Sequence, residues 1–307
     1  MTAGPRRTVL AVPGSSARFI AKSRQLDADA IMLDLEDAVA PAAKAAARAE
    51  VVAALRQPDG WTAPTVTLRV NDWETPWTTA DITTVVGAAG DRLDAIVLPK
   101  VTTAEQVVAT DLILTQVERG AGWPVGRIGL EAQIEDARGL LACQAIAAAS
   151  TRLVSLVFGP GDFMASVGMA TLSVGTQPAG YAADAFHHAL MTILLAARAH
   201  GLLAIDGPFV GIRDLAGFTA SATSSAALGY DGKWVVHPDQ IAAGNRIYAP
   251  SLSQVDRANR IVAAYAAANA AAGGATGAIE VDGEMIDQAG VKLARALLAK
   301  APANPTG

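Results

Sequence analysis

AIMLDLEDAVAPAAKAAARAEVVAALRQ, residues 30–57, runs from a β-rich apolar segment through three crowded carboxylates into a long Ala-rich stretch. The first part has the length and composition of a buried strand, and the last part favours helix. Asp34, Glu36 and Asp37 sit at the junction, where like charges repel unless something positive faces them.

The same strand–helix alternation recurs along the chain. Apolar β-rich runs fall at 8–13, 30–36, 65–71, 95–101, 128–135, 153–159, 202–209 and 233–238, separated by helix-favouring stretches such as HALMTILLAARAHG. Near-continuous apolar strands alternating with helices indicate a parallel sheet covered on its faces. Eight such units in about 240 residues predict an α/β fold, a (β/α)8 TIM barrel, over 1–245. A doubly wound open sheet is the rival, but no GxGxxG or GxxxxGK[ST] follows any strand. Residues 246–307 exceed what closes a barrel and read as a C-terminal helical extension and lid, with a Gly-rich hinge, a short hairpin and a last helix.

The 307 residues are 51% hydrophobic, with a formal net charge of −5 and no Lys/Arg run, so nothing points to nucleic acid. No stretch has the ~18 uncharged apolar residues of a membrane span, and the amino terminus lacks a signal-peptide core. The single cysteine, Cys143, reads as a core filler on a helix and agrees with a reducing compartment. The expectation is a soluble cytoplasmic protein.

Catalytic groups of such barrels come from the carboxyl ends of the strands. Here those ends carry Asp34, Glu36, Asp37, Arg69, Asn71, Lys100, Glu135, Asp136, Asp162, Asp206 and His237, whereas the amino-terminal halves read as almost uncharged. Glu131, Gln133 and Glu135 share a parity and would send a file of polar groups toward the mouth. The GPGD turn, with Gly161 and Asp162, lets backbone approach a ligand closely. Carboxylates outnumber cations, which suggests a hard divalent ion such as Mg2+, a user of oxygen donors. The four histidines show no ligand spacing with Cys143, so zinc is not expected.

RRTVLAVPG, DAIMLDLEDAVAPAAKAAAR, LRVNDWETPW, VLPKV, IEDARGLLACQAIAAAS, FGPGDF, GYDGKWVVHPDQI and GEMID occur in the order seen in the HpcH/HpaI aldolase and citrate lyase family. The chain resembles most the citrate lyase β-subunit-like branch, with its malyl-CoA, β-methylmalyl-CoA and citramalyl-CoA lyases. The resemblance implies a Mg2+-dependent carbon–carbon lyase acting on an acyl-CoA ester and a small 2-oxo acid. It implies Glu135 and Asp162 as metal ligands and Arg69 as the holder of the oxo acid or the developing enolate. It also implies Asp287 as an acid/base arriving from a neighbouring subunit, hence a homo-oligomer, a trimer or hexamer. Asp136 stands where the family often has Thr.

Glu36 and Asp37 would then accept hydrogen bonds from metal-bound waters or pair with Arg69, the alternative for Asp37 being a helix cap. Arg18 and Lys22, the latter matching a family lysine, are candidates for CoA phosphates or form a solvated basic face. Lys100 and His237 are barrel closures or ligand contacts. A citrate lyase β subunit, a free oxo-acid aldolase, a malate synthase or malyl-CoA thioesterase, and a non-catalytic CoA-binding module are the alternatives.

Overall fold

The structure, a computed structural model, describes residues 5–301; the outer ends of both regions assigned from sequence, 1–4 and 302–307, lie outside them. The chain divides into two compact units, Met1–Asn245 and Arg246–Gly307.

In the first unit eight strands form a closed parallel barrel in chain order. They are β1 (Thr8–Pro13), β2 (Ala30–Asp34), β3 (Thr65–Arg69), β4 (Ala95–Leu98), β5 (Gly129–Ile134), β6 (Leu153–Phe158), β7 (Leu203–Asp206) and β8 (Gly232–Val235). Closure comes from β8 pairing with β1, Val9 opposite Trp234. It requires glycine at 232, since a Cβ there would lie 1.7 Å from the Arg6 carbonyl oxygen. The open-sheet alternative is thereby excluded.

Helices α1 (Ala17–Ser23), α2 (Lys44–Leu55), α3 (Ala104–Ala121), α4 (Ala137–Leu141), α5 (Cys143–Ala147), α6 (Pro160–Ser166), α7 (His187–Ala199), α8 (Leu215–Leu228) and α9 (Ile241–Ile247) follow the strands; β3 and β4 are joined by irregular helical turns over 78–92. Their ends are fixed by local chemistry. Ser16 caps α1, Asp136 caps α4 through Gly139 N–H, and Asp214 caps α8 through Gly217 N–H. No helix among the described residues is long and apolar enough to cross a membrane. Cys143 is buried, as expected.

Val9, Ala30, Met32, Val97, Val157, Ile205 and Trp234 form one buried cluster. Alternate strand residues share a face, so these positions define the interior, and Asp34, Arg69, Glu131, Gln133 and Glu135 belong to the same parity. Below the cluster, at the amino-terminal end, Arg6 donates to Thr65 Oγ1 (2.7 Å) and pairs with Glu131 Oε1 (3.3 Å). The expectation of an uncharged floor is corrected: Glu131 belongs to that floor, and only Gln133 and Glu135 continue to the mouth. Asp206 is also corrected. Its neighbour Ile205 points inward, so Asp206 faces the outer helices and pairs with buried Lys233 (2.5 Å).

In the second unit, α10 (Leu252–Ala271) starts with a reciprocal cap. Ser251 N–H donates to Gln254 Oε1 (2.8 Å) and Gln254 N–H to Ser251 Oγ (3.2 Å). β9 (Ala278–Val281) and β10 (Glu284–Asp287) form an antiparallel hairpin whose turn, Asp282–Gly283, has φ of +54° and +81°. Asp-Gly is the residue pair such a turn demands. Ile286 of the hairpin packs with Ala258, Ile261 and Tyr265 of α10 and with Val291 and Ala294 of α11 (Gln288–Ala299).

Candidate active site

The carboxyl ends of β2 and β3 set the centre of the mouth. Asp34 and Arg69 are register partners, and both point inward. Arg69 Nε donates to Asp34 Oδ1 (2.7 Å) and Nη2 to Oδ2 (2.6 Å), a bidentate pair. Asp34 also accepts from the Glu36 and Ala38 N–H groups, 2.9 and 3.2 Å, which folds the turn after β2 over the strand end. Lys44 completes that turn by donating to the Leu35 and Glu36 carbonyls, both at 2.7 Å.

The remaining Arg69 nitrogen, Nη1, lies 2.9 Å from Glu36 Oε2, off the hydrogen-bond axis, so that contact is ionic; Asp37 Oδ2 is 3.7 Å away. The expected pairing of Glu36 and Asp37 with Arg69 is therefore present. Asp37 is 62% exposed and caps no helix, the next helical turn beginning at Pro41.

Lys100, just past β4, joins the other carboxylates. Its ammonium hydrogen-bonds Glu36 Oε1 and stands 3.5 Å from both Asp37 Oδ1 and Asp162 Oδ2. Its backbone N–H donates to Glu135 Oε1 (2.7 Å), and Gln133 Nε2 donates to Glu135 Oε2 (2.6 Å). Glu135 is buried and Asp162, in the first turn of α6, is 44% exposed. The two line one cleft of about 260 Å³ with Lys100, Asp72, Glu74 and Asp136. A larger cavity, about 630 Å³, lies outside the barrel wall around Phe158, Asp206 and Phe209. The smaller cleft is the candidate site because it opens on the convergent ionisable groups.

Electrostatics separate the carboxyls. Burial works to raise the Asp34 carboxyl, but Arg69 and the two N–H donors hold it below the ordinary range. Burial raises Glu36, and burial together with the Glu36 charge pushes Glu135 up to about 8, against Arg69 and Lys100. Arg69 and Lys100 are held charged by these acids despite burial.

A hard cation fits this donor set. Glu135 is a buried carboxyl whose proton affinity burial and the Glu36 charge raise, Asp162 lines the same cleft, and Gln133 Oε1 is buried without a partner. Among the described residues no three His, Cys, Asp or Glu side chains form a metal-holding group. Two carboxylates with positions left for water and substrate suit Mg2+.

Other predicted residues fall elsewhere. Arg18 and Lys22 are exposed on α1, Arg18 lying over the Phe19 ring, and no described contact links them to the acids. Asp136 lines the cleft but is tied down as the cap of α4, and His237 accepts from Asp239 N–H (3.3 Å) in a turn. In the GPGD turn Gly161 has ordinary room, whereas a Cβ on Gly159 would lie 2.3 Å from Glu135 Oε2. Asp287 ends β10 and caps α11, its Oδ1 accepting from Ala289 and Gly290 N–H. Sequence reasoning missed the weight of Lys100, whose signal is a lysine directly after an apolar strand. It also missed Asp34 as the main partner of Arg69, readable only once interior parity is known.

Eight parallel strands with ionisable groups of β2, β3, β4 and β5 gathered at one mouth define a (β/α)8-barrel enzyme. Residues 7–238 match the family model HpcH/HpaI aldolase/citrate lyase. The chain is 39% identical to L-malyl-CoA/beta-methylmalyl-CoA lyase of Cereibacter sphaeroides, over 97% of this chain and 95% of that one. It is 34% identical to citrate lyase subunit beta of Escherichia coli, over 96% and 93%. The crystal structure of CitE from Mycobacterium tuberculosis in complex with magnesium, acetoacetate and coenzyme A superposes with a TM-score of 0.74 at 30% identity, covering 97% and 98% of the two chains. The chain belongs to the HpcH/HpaI aldolase/citrate lyase family and is a carbon–carbon lyase.

Proposed function

We propose that the protein is a Mg2+-dependent lyase of 3-hydroxyacyl-CoA esters. It would split malyl-CoA, β-methylmalyl-CoA or citramalyl-CoA into acetyl- or propionyl-CoA and glyoxylate or pyruvate, or join them in reverse. The observation that carries this reading is the cleft in which Glu135 and Asp162 face Lys100, beside the Arg69 fork. The relatives named for malyl-CoA and the CitE complex with magnesium, acetoacetate and coenzyme A support it.

Glu135 and Asp162 would hold the ion, which when bound would supply Lewis-acid polarisation of the oxo-acid oxygens. Arg69, always charged and locked by Asp34, presents its third nitrogen to an oxyanion. In cleavage the hydroxyl gives up its proton, the bond between the carbinol carbon and the thioester α-carbon breaks, and the electron pair moves to the thioester side. Glu36, whose proton affinity burial raises, and Asp37 are the carboxylates placed beside Arg69 to manage that proton. Asp287 of a neighbouring subunit returns a proton to the α-carbon. Arg18 and Lys22 meet the coenzyme phosphates, and the Gly161 backbone passes close to the oxo acid.

Glyoxylate release from malyl-CoA and pyruvate release from citramalyl-CoA, each measured with and without EDTA, test the reading. Release that stops with EDTA and returns with Mg2+ is expected; release indifferent to chelation rejects it. Activity restricted to a citryl thioester on an acyl carrier would assign the chain to the citrate lyase side instead.

A further inference from the structure

Two described non-glycine residues have a positive φ, Lys100 (+49°) and Asp282. Asp282 belongs to the hairpin turn, where that conformation is normal. Lys100 lies in no such turn, and glycine would adopt the same backbone without the steric cost that a side chain incurs there. An outlier of this kind points to a function for the side chain.

The backbone at Lys100 sets its N–H on Glu135 while its ammonium contacts Glu36, Asp37 and Asp162. One residue thus touches carboxyls from the ends of β2 and β5 and the first turn of α6. Arg69 is committed to Asp34 by two hydrogen bonds, so Lys100 is the cation that faces Asp162. Its side chain is 31% exposed, and the cleft it lines is open to small ions. A lysine that merely closed the barrel would need one carboxylate partner, as Lys233 has in Asp206.

We propose that Lys100 is the built-in counter-ion of the mouth, pairing with Glu36, Asp37 and Asp162, and that its charge opposes a divalent ion at the same carboxylates. The proposal rests on the reading that Glu135 and Asp162 take that ion. Lys100 then sets the affinity of the site, since an ion held by Asp162 stands beside a second positive centre. At about 4 Å, with partial screening, a charge contact outweighs a tenfold change in an equilibrium constant.

Mn2+, which shares with Mg2+ a preference for oxygen donors, is titrated into the full-length protein without substrate, by calorimetry and by the loss of its free-ion paramagnetic resonance signal. One site is expected in the native chain. Lys100→Met and Lys100→Gly should both bind about tenfold tighter or better, and Lys100→Arg should stay within about twofold of native because the charge remains. The glycine variant adopts the Lys100 backbone without strain, so misfolding cannot imitate the result. Unchanged or weaker binding in both neutral variants, with a native site present, overturns the counter-ion role and leaves the metal reading standing. Tightening in Lys100→Arg as well overturns it in favour of side-chain shape. No Mn2+ site in the native chain removes the metal reading, and this role with it.

Discussion

Asp34 grips both donor arms of Arg69, Nε at 2.7 Å and Nη2 at 2.6 Å, from the register-paired position on the adjacent strand. The grip fixes the direction of the third guanidinium nitrogen, Nη1, which lies 2.9 Å from Glu36 Oε2. Asp34→Asn keeps the shape but loses the charge and one acceptor. We expect kcat/KM for thioester cleavage to fall by about 10–100-fold, because small misplacements of an orienting group cost that much. Asp34→Ala should also lower stability by about 3–5 kcal/mol, as for any buried pair left half-made. Steady-state kinetics with thermal melts decide it; unchanged kcat/KM in Asp34→Asn would show that Arg69 needs no orienting partner.

Gly159 is where the β6 end meets Glu135. A Cβ there would lie 2.3 Å from Oε2 and 2.4 Å from Cβ of Glu135, so Gly159→Ala must drive the carboxylate from its place. Mg2+ affinity should drop by about 10–100-fold, the loss typical of disturbed ligand support. Calorimetric titration of the variant provides the check, and native affinity would remove Glu135 as a ligand.

Asp287 has two separable duties. Its Oδ1 caps α11, and the proposed chemistry uses its acidity. Asp287→Ser retains a cap and should melt like the native chain, yet lose at least about 100-fold in turnover. Asp287→Ala should lose about 1 kcal/mol besides. Co-expression of Asp287→Ser with Arg69→Met should restore partial activity if the acid works across subunits. A monomer by light scattering that keeps full turnover would refute that arrangement.

Arg152 gives a pH signature remote from the mouth. It pairs with buried Glu118 (2.6 Å) and with Asp111 (2.5 Å), and Glu118 also accepts from the Gly126 and Ile128 N–H groups. Burial works against both acids, but Arg152 and their other hydrogen-bond donors hold them below the ordinary carboxylate range. Folded values below the unfolded ones mean that this stabilisation is complete above about pH 4.5 and fades as pH falls through the folded values. Arg152→Met should cost about 3–5 kcal/mol at pH 7. Its Tm deficit should narrow on acidification, because the stranded Glu118 then takes a proton. A deficit that stays constant from pH 7 to about pH 3.5 contradicts the assignment.

All eight strands were legible, because apolar runs of strand length alternated with helix-favouring segments. The inward face was not. Strands buried on both sides read as continuous apolar runs, with no polar alternation to tell core from wall. That is why Asp206 looked like a mouth residue until Ile205 proved to be interior, and why Glu131 was assigned to the wrong end of its file. Glu36, Arg69 and Asp162 were legible because charge at a strand end is conspicuous. Lys100 was visible as a strand-end charge too, but its several partners were not, since they depend on a backbone angle and on reach across strand ends, neither of which spacing encodes. Asp287 was reached by resemblance alone.

Arg6 and Glu131, clasped beneath the apolar layers, stopper the barrel from below. With the apolar layer packed above that pair, the barrel axis is filled, and the ionisable groups at the carboxyl ends of the strands are reached only from their own side.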